Sequence, residues 1–425
     1  MSVLPVHHCH QGDPLPELHL HPDLRLTSIP CCRCRVGIPS RQRRFSSRCF
    51  RLHAPLNLYT FVRGAILFND QHPISSSLMR EPAMTTCPRR CLLAADIGAS
   101  KTSLALYDAA TGPLAPLAAT TVVNASARSL EDIIAGFLQG QQVRPRFACL
   151  GVAGPVIDNR VRMTNLNWTL DSRVLQQQFG LEQVTLINDL VATAMGTVHL
   201  PADRLHTVNS GHADPMGAVA VIAPGSGLGE AFLLRRQQDI HPYPSEGGHC
   251  TFAPTDEQQI RLLRFLAERQ GHVSVEQVCS GRAIPTLYQF LCAEPPAGLE
   301  EPAPLPGADR NPTQAIITEA LAALAHGEAG HNLAAATLKL FWNILAAEAA
   351  NLVLKVLATG GLFIGGGIPP RILPFLHGPT FMSLFSRGVY EEMLCTVPVH
   401  VILEQQTALI GAAAYGIASL RETGR

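Results

Sequence analysis

From Cys91 onward, apolar positions gather into short runs separated by glycine-rich turns. Cys91-Leu92-Leu93-Ala94-Ala95 is short, apolar and closed by a turn, the pattern of a buried strand. Ser103 to Asp108 follows as a second strand, so the two predict a hairpin around Asp96 to Thr102. The runs Ala218–Ala223 and Ala231–Leu234 predict another strand–turn–strand unit around Gly225 to Gly229. Leu338, Phe341, Leu345, Leu352 and Val356 recur at helical spacing and predict a long helix. An apolar strand, Leu362-Phe363-Ile364, follows between glycine clusters, and Leu186-Ile187 ends a further apolar run.

Before residue 84 no such period persists. Residues 1–83 hold ten Arg, no Lys and five of the twelve Cys. Cys31-Cys32-Arg33-Cys34 lacks the paired spacing of a zinc site. Arg41 to Arg48 is Arg- and Ser-rich like a transit peptide, but Asp13, Glu17 and Asp23 precede it. Residues 1–85 therefore read as an unstructured extension, or as sequence upstream of a start at Met79 or Met84.

Length and charge narrow the classes. At 425 residues the chain has room for two domains. It carries 33 basic and 33 acidic residues and is 16% charged, which argues against a chain-wide nucleic-acid surface. The most apolar stretch, Ala346 to Ile364, is broken by Glu348, Asn351 and Lys355, so no membrane span is expected. The later cysteines, Cys87 to Cys395, are dispersed and read as buried free thiols of an intracellular chain.

Candidate chemistry concentrates in the turns. Asp96-Ile97-Gly98-Ala99-Ser100-Lys101-Thr102 offers an acid, backbone N–H groups, two hydroxyls and a lysine. Such a turn can form an anion nest while the acid holds magnesium through water. It is no P-loop, because GxxxxGK[ST] is absent and a strand follows. Gly225-Ser226-Gly227-Leu228-Gly229 repeats the arrangement, and a strand after it disfavours a dinucleotide fingerprint. Two strand–turn–strand phosphate candidates suggest two similar halves facing one cleft. Gly365-Gly366-Gly367 would let a flat ligand approach the backbone.

Asn188-Asp189 stands at the end of a buried strand, where α/β folds place chemistry, although Asn-Asp is also a common turn or helix cap. Thr164-Asn165-Leu166-Asn167-Trp168, Glu246-Gly247-Gly248-His249 and Glu276 supply amides, acids and an imidazole without metal spacing. Polyhydroxylated ligands need such groups, because each hydroxyl both donates and accepts.

Taken in order, these motifs resemble the bacterial glucokinase family of the hexokinase–actin ATPase superfamily. The resemblance runs from about Cys91 to about Ala418 and includes Gly154-Pro155-Val156, Phe252-Ala253-Pro254, Gly271-His272-Val273-Ser274 and Ser280-Gly281. It implies a two-domain actin-like ATPase (ribonuclease H-like) α/β fold with a central cleft. It implies ATP-dependent phosphorylation of glucose at its 6-hydroxyl, in the cytoplasm. Asp189 would be the general base, with Asn165, Asn188, Glu246, His249 and Glu276 around the sugar. Asp96 would position Mg²⁺, Gly98–Thr102 and Gly225–Gly229 would hold phosphates, and Gly365–Gly367 would line the adenosine site. A homodimer is a further expectation of the resemblance. Ala99, Ser100 and Lys101 depart from the family's usual Asp-x-Gly-Gly-Thr-Asn hairpin, and Ser226 replaces its usual Thr.

The expected organisation is a small α/β domain at 86–200 with a C-terminal return at 404–425, and a large one at 201–403. Two alternatives remain: a kinase for another hexose or amino-hexose, and a catalytically silent sugar-binding regulator. Retention of Asp189 disfavours the second.

Overall fold

The computed structural model describes Arg90 to Glu422, apart from residues 164–165, 238, 297, 300–304, 306, 308 and 377. The expected extension at 1–85 and Asn165 lie outside the described residues, as does much of the Pro-rich segment near residue 300.

Strands β1 (Cys91–Ile97), β2 (Lys101–Asp108) and β3 (Pro116–Val123) open the chain, followed by α1 (Leu130–Gln139) and β4 (Phe147–Val152). A small hairpin, β5 (Arg160–Arg162) and β6 (Thr169–Asp171), leads into α2 (Ser172–Phe179), β7 (Gln183–Asn188) and α3 (Asp189–Thr197). The second part begins with β8 (Leu205–Asn209), β9 (Val219–Pro224), β10 (Leu228–Arg236) and β11 (Asp239–Ser245). Helices α4 (Glu257–Gln270), α5 (Ala283–Ala293), α6 (Pro312–Ala325) and α7 (Leu333–Val356) come next. The chain ends with β12 (Gly361–Ile364), α8 (Gly378–Phe385), α9 (Glu391–Thr396), β13 (Val399–Ile402) and α10 (Thr407–Glu422).

Two sheets share one plan. The first has strand order β3-β2-β1-β4-β7, the second β11-β10-β9-β12-β13-β8. In each, a meander of three antiparallel strands is extended by two parallel strands: β1 with β4 and β4 with β7, then β9 with β12 and β12 with β13. Only β8, antiparallel to β13, has no counterpart. The edge strands explain themselves locally: β3 alternates between more and less exposed residues. β11 carries Pro242 and Pro244, which a central strand would not tolerate.

Central β1 is buried on both faces. Its Leu93, Ala95 and Ile97 face a core shared with Leu130 and Ile134 of α1 and Leu175 of α2. Leu92 and Ala94 pack instead with Leu409, Ala413 and Ile417 of α10. The second sheet rests on a larger core centred on α7, which is apolar around most of its circumference. Alone among the described helices, α7 is long and apolar enough to cross a membrane, yet 83% of its most apolar window is buried inside the protein.

Helix α3 joins the two parts. Val191 and Ala192 belong to the first sheet's core, whereas Ala194 and Met195 pack with Val219, Val221 and Leu233 of the second. Its partner α10 crosses at close range: a Cβ on Gly411 would overlap the Ala192 carbonyl, and one on Gly196 the Thr407 carbonyl. Small residues at both crossing points are therefore a steric requirement.

The cysteine expectation holds in part. Of the six described cysteines, Cys91, Cys149 and Cys279 are buried, but Cys250, Cys292 and Cys395 are exposed. The last three occupy a loop and helix ends rather than a packed face.

Candidate active site

Parallel pairing brings two acids to one edge of the first sheet. Asp96 of β1 is level with Gly151 of β4, and Val152 with Asn188 of β7, so Asp96 and Asp189 flank β4 at its C-terminal end. Burial pushes the Asp96 carboxyl up to about 6, against the pull of Lys101. Burial and the Asp96 charge likewise hold Asp189 at about 6, opposed by the Leu190 N–H, which donates to Asp189 Oδ1 at 3.0 Å. Glu246 adds a smaller repulsion and thus lies within electrostatic range of Asp189.

Asn188 takes the helix-capping role that its Asn-Asp sequence also allows. Its Oδ1 accepts from Leu190 N at 2.8 Å and Val191 N at 3.3 Å, capping α3. Its Nδ2 donates to the Gly154 carbonyl at 3.2 Å. One amide hydrogen remains for a ligand; the rest of the group fixes the helix that starts with Asp189.

The β9–β10 hairpin organises the other acids. Leu228 N donates to Glu276 Oε2 at 2.9 Å, and Glu276 N donates to the Gly248 carbonyl at 2.8 Å. The turn itself closes from Gly225 N to the Gly227 carbonyl at 2.8 Å, and Gly281 N donates to the Gly225 carbonyl at 2.7 Å. A Cβ on Gly227 would overlap Glu276 Oε2, and one on Gly248 the Leu228 carbonyl. These glycines let the loop of Glu246 to His249 settle on the hairpin. Glu246 and His249 point to solvent, with Glu246 Oε2 and His249 Nε2 3.9 Å apart.

Gly229 belongs to β10 rather than to the turn. A Cβ there would lie 2.5 Å from Leu190 Cδ2, so this glycine admits α3 against the second hairpin. Gly365 N donates to the Ile222 carbonyl at 2.8 Å, and a Cβ on Gly366, whose φ is +82°, would overlap the Pro224 carbonyl. Gly366 and Gly367 are exposed and form a ledge beside the Gly225 turn, while Gly365 is buried.

In the first hairpin the turn closes from Gly98 N to the Lys101 carbonyl at 3.1 Å, leaving Ala99, Ser100 and Lys101 exposed. Ala99 is outside the left-handed region, so its methyl costs no backbone strain. Thr102 is fully buried and its hydroxyl donates to Asn124 Oδ1 at 2.8 Å. Its side chain braces the turn from behind, with its hydroxyl committed to Asn124.

This arrangement has a clear set of relatives. A glucokinase family profile matches residues 93–418. A glucokinase from Nostoc punctiforme is 38% identical over 344 residues, covering 76% of this chain and 97% of its own length. The crystal structure of a glucokinase from an Antarctic psychrotroph superposes with a TM-score of 0.66 at 32% identity, covering 77% of this chain and 98% of that one. The chain belongs to the glucokinase family. A glucokinase of the ROK family from Streptomyces griseus, solved with glucose and AMPPNP, shares the fold at a TM-score of 0.51 and 19% identity, covering 77% and 99%.

Within this glucokinase-family site, two residues escaped sequence reading. Asn124, 2% exposed, donates from Nδ2 to the Gly98 carbonyl at 2.9 Å and from its backbone N to the Ser100 carbonyl at 2.9 Å. No motif marks it, because its role depends on β3 returning alongside β2. Arg282 donates from Nε to the Ser226 carbonyl at 3.0 Å and places Nη2 3.4 Å from Glu276 Oε1. It follows Ser280-Gly281 directly, and that position was its only signal.

Proposed function

We infer that this chain transfers the γ-phosphoryl group of ATP to the 6-hydroxyl of glucose, with Asp189 as the general base. The observation that supports this most is the placement of Asp189. It heads a capped helix beside a second carboxylate, between a first sheet bearing Asp96 and a hairpin whose Leu228 amide holds Glu276.

A sugar hydroxyl is a poor nucleophile until a base takes its proton, a contribution of about 10²–10⁴-fold. An ordinary aspartate is too weak a base; one held near 6 is still mostly ionised at neutral pH and accepts the proton more readily. The N-terminus of α3 keeps the ionised form tolerable despite burial. Glu246, His249 and Glu276 would bind the sugar hydroxyls, their acceptors and donors fixing which hydroxyl meets Asp189. The exposed N–H groups of the two hairpin turns, with Lys101 and Arg282, would hold the triphosphate.

The donor set fits magnesium. Among the described residues no three metal-ligating side chains converge, and half-buried Asp96 offers a single carboxylate near the end of β1. One carboxylate with substrate phosphates and water is the coordination Mg²⁺ favours. Asp96 would hold the ion, which supplies charge neutralisation at the phosphates. Water competes with the sugar as acceptor, so we propose that the two sheets close on either side of α3 when sugar binds.

Asp189→Ala tests the assignment. Turnover should vanish while ATP affinity, measured by calorimetry, stays within a small factor; substantial remaining turnover would remove Asp189 as the base.

A further inference from the structure

Alternate residues of β10 point to one face, so Leu228 and Glu230 lie side by side beneath the loop of Glu246 to His249. Leu228 supports Gly248 through its carbonyl, as described above. Glu230 supports Gly247: its Oε2 occupies the space a Cβ on that glycine would need. Glu230 is only 1% exposed, and its Oε1 is buried without a hydrogen-bond partner. A carboxyl in such a position is costly to keep, and a leucine or valine would fill a strand position at less expense.

The groups facing it give no counter-charge at hydrogen-bond range. Glu348 and Lys355 approach from α7, and Cys279 from the segment before α5. Lys355 Nζ already donates to Glu348 Oε1 at 3.0 Å, Asn351 Nδ2 holds Glu348 Oε2 at 2.9 Å, and the Cys250 thiol faces Lys355.

We propose that Glu230 is a positioning residue for hexose binding: its carboxyl supports, from below, the turn that presents Glu246 and His249. The proposal rests on the reading of Glu246 and His249 as sugar contacts. Burial and the neighbouring Glu348 push the Glu230 carboxyl up to about 7, with Lys355 opposing. Protonated, the group fits its pocket. Ionised, it sets an unpaired charge next to Glu348 and against Gly247, and the turn moves to relieve it. Sugar affinity therefore falls as pH rises through 7, with no matching change at the nucleotide.

The test is the glucose KM of the full chain at saturating ATP from about pH 6 to about pH 8.5, with the ATP KM measured in parallel. The wild type should show a glucose KM rising roughly 5-fold, the size of one weakened hydrogen bond, and a flat ATP KM. Glu230→Gln keeps the shape without the ionisable proton; its glucose KM should match the wild type at the acid end and stay flat. Glu230→Ala should raise glucose KM at every pH, and if it does not fold the Gln variant still decides. A Gln variant that keeps the wild-type pH slope would overturn the proposal. Glu246→Gln and His249→Gln serve as controls. If they leave glucose KM unchanged, the sugar-loop reading has failed; if they raise it while Glu230→Gln and Glu230→Ala behave as wild type, the Glu230 proposal alone has failed.

Discussion

The Leu228 amide donates to Glu276 Oε2 at 2.9 Å, which ties a proposed sugar acid to the proposed phosphate hairpin. Glu276 Oε1 lies 3.4 Å from Arg282 Nη2, and Arg282 in turn holds the Ser226 carbonyl. Glu276→Gln weakens a charged hydrogen bond worth about 1.5–3 kcal/mol. Glucose KM should rise by roughly 10-fold or more, and ATP KM by a smaller factor because the hairpin loosens. Steady-state kinetics in both substrates check this, and an unchanged glucose KM would place Glu276 outside the sugar site.

Asn124 makes a parallel prediction for the first hairpin. Its side chain and backbone brace Gly98, Ser100 and Thr102 together. Asn124→Ala leaves the buried Thr102 hydroxyl and the Gly98 carbonyl without their partner, at about 1–3 kcal/mol. The variant should melt earlier and show a raised ATP KM with glucose KM nearly unaltered. An unaltered ATP KM would separate this turn from the nucleotide.

These two residues show what the sequence made legible. Both hairpins, the long helix of Leu333–Val356 and the strand-end position of Asp189 follow from apolar runs and the turns that break them, since such signals are local. Asn124 and Arg282 act through contacts closed by distant segments, so nothing beside Asn124 marks its role and only the preceding Ser280-Gly281 points to Arg282. Thr102 and Gly229 have packing roles that their motifs do not announce, for a related reason. A hydroxyl or glycine within a phosphate motif looks like a ligand contact, yet one faces inward to Asn124 and the other makes room for Leu190. Asn188 reads from sequence as either a cap or a ligand contact, and in the fold its Oδ1 caps α3.

The α3–α10 crossing leaves no room for a methyl group. Gly411→Ala would press a Cβ into the Ala192 carbonyl of the helix that begins with Asp189. Overpacking of this kind costs about 1–3 kcal/mol. The melting temperature should fall by several degrees and kcat should drop with it, as α3 shifts. An unchanged melting curve would contradict the close crossing.

Stability should respond to pH through Glu230. Its carboxyl is raised from 4.5 to about 7 in the folded chain, so the folded state binds the proton more tightly than the unfolded state. Its stabilising contribution is complete below about 4.5 and is lost as pH rises through about 7. Urea unfolding of the wild type and Glu230→Gln at both ends of this window should show the wild type losing more stability on going to the alkaline side. Equal losses would assign the pH response to other groups.

Production of glucose 6-phosphate tests the central claim most directly. The full chain, given ATP, Mg²⁺ and glucose, should generate glucose 6-phosphate in a dehydrogenase-coupled assay, with no product from the same mixture lacking ATP. A folded protein that binds glucose by calorimetry yet forms no product would contradict the account and point to a sugar-binding regulator built on a kinase fold.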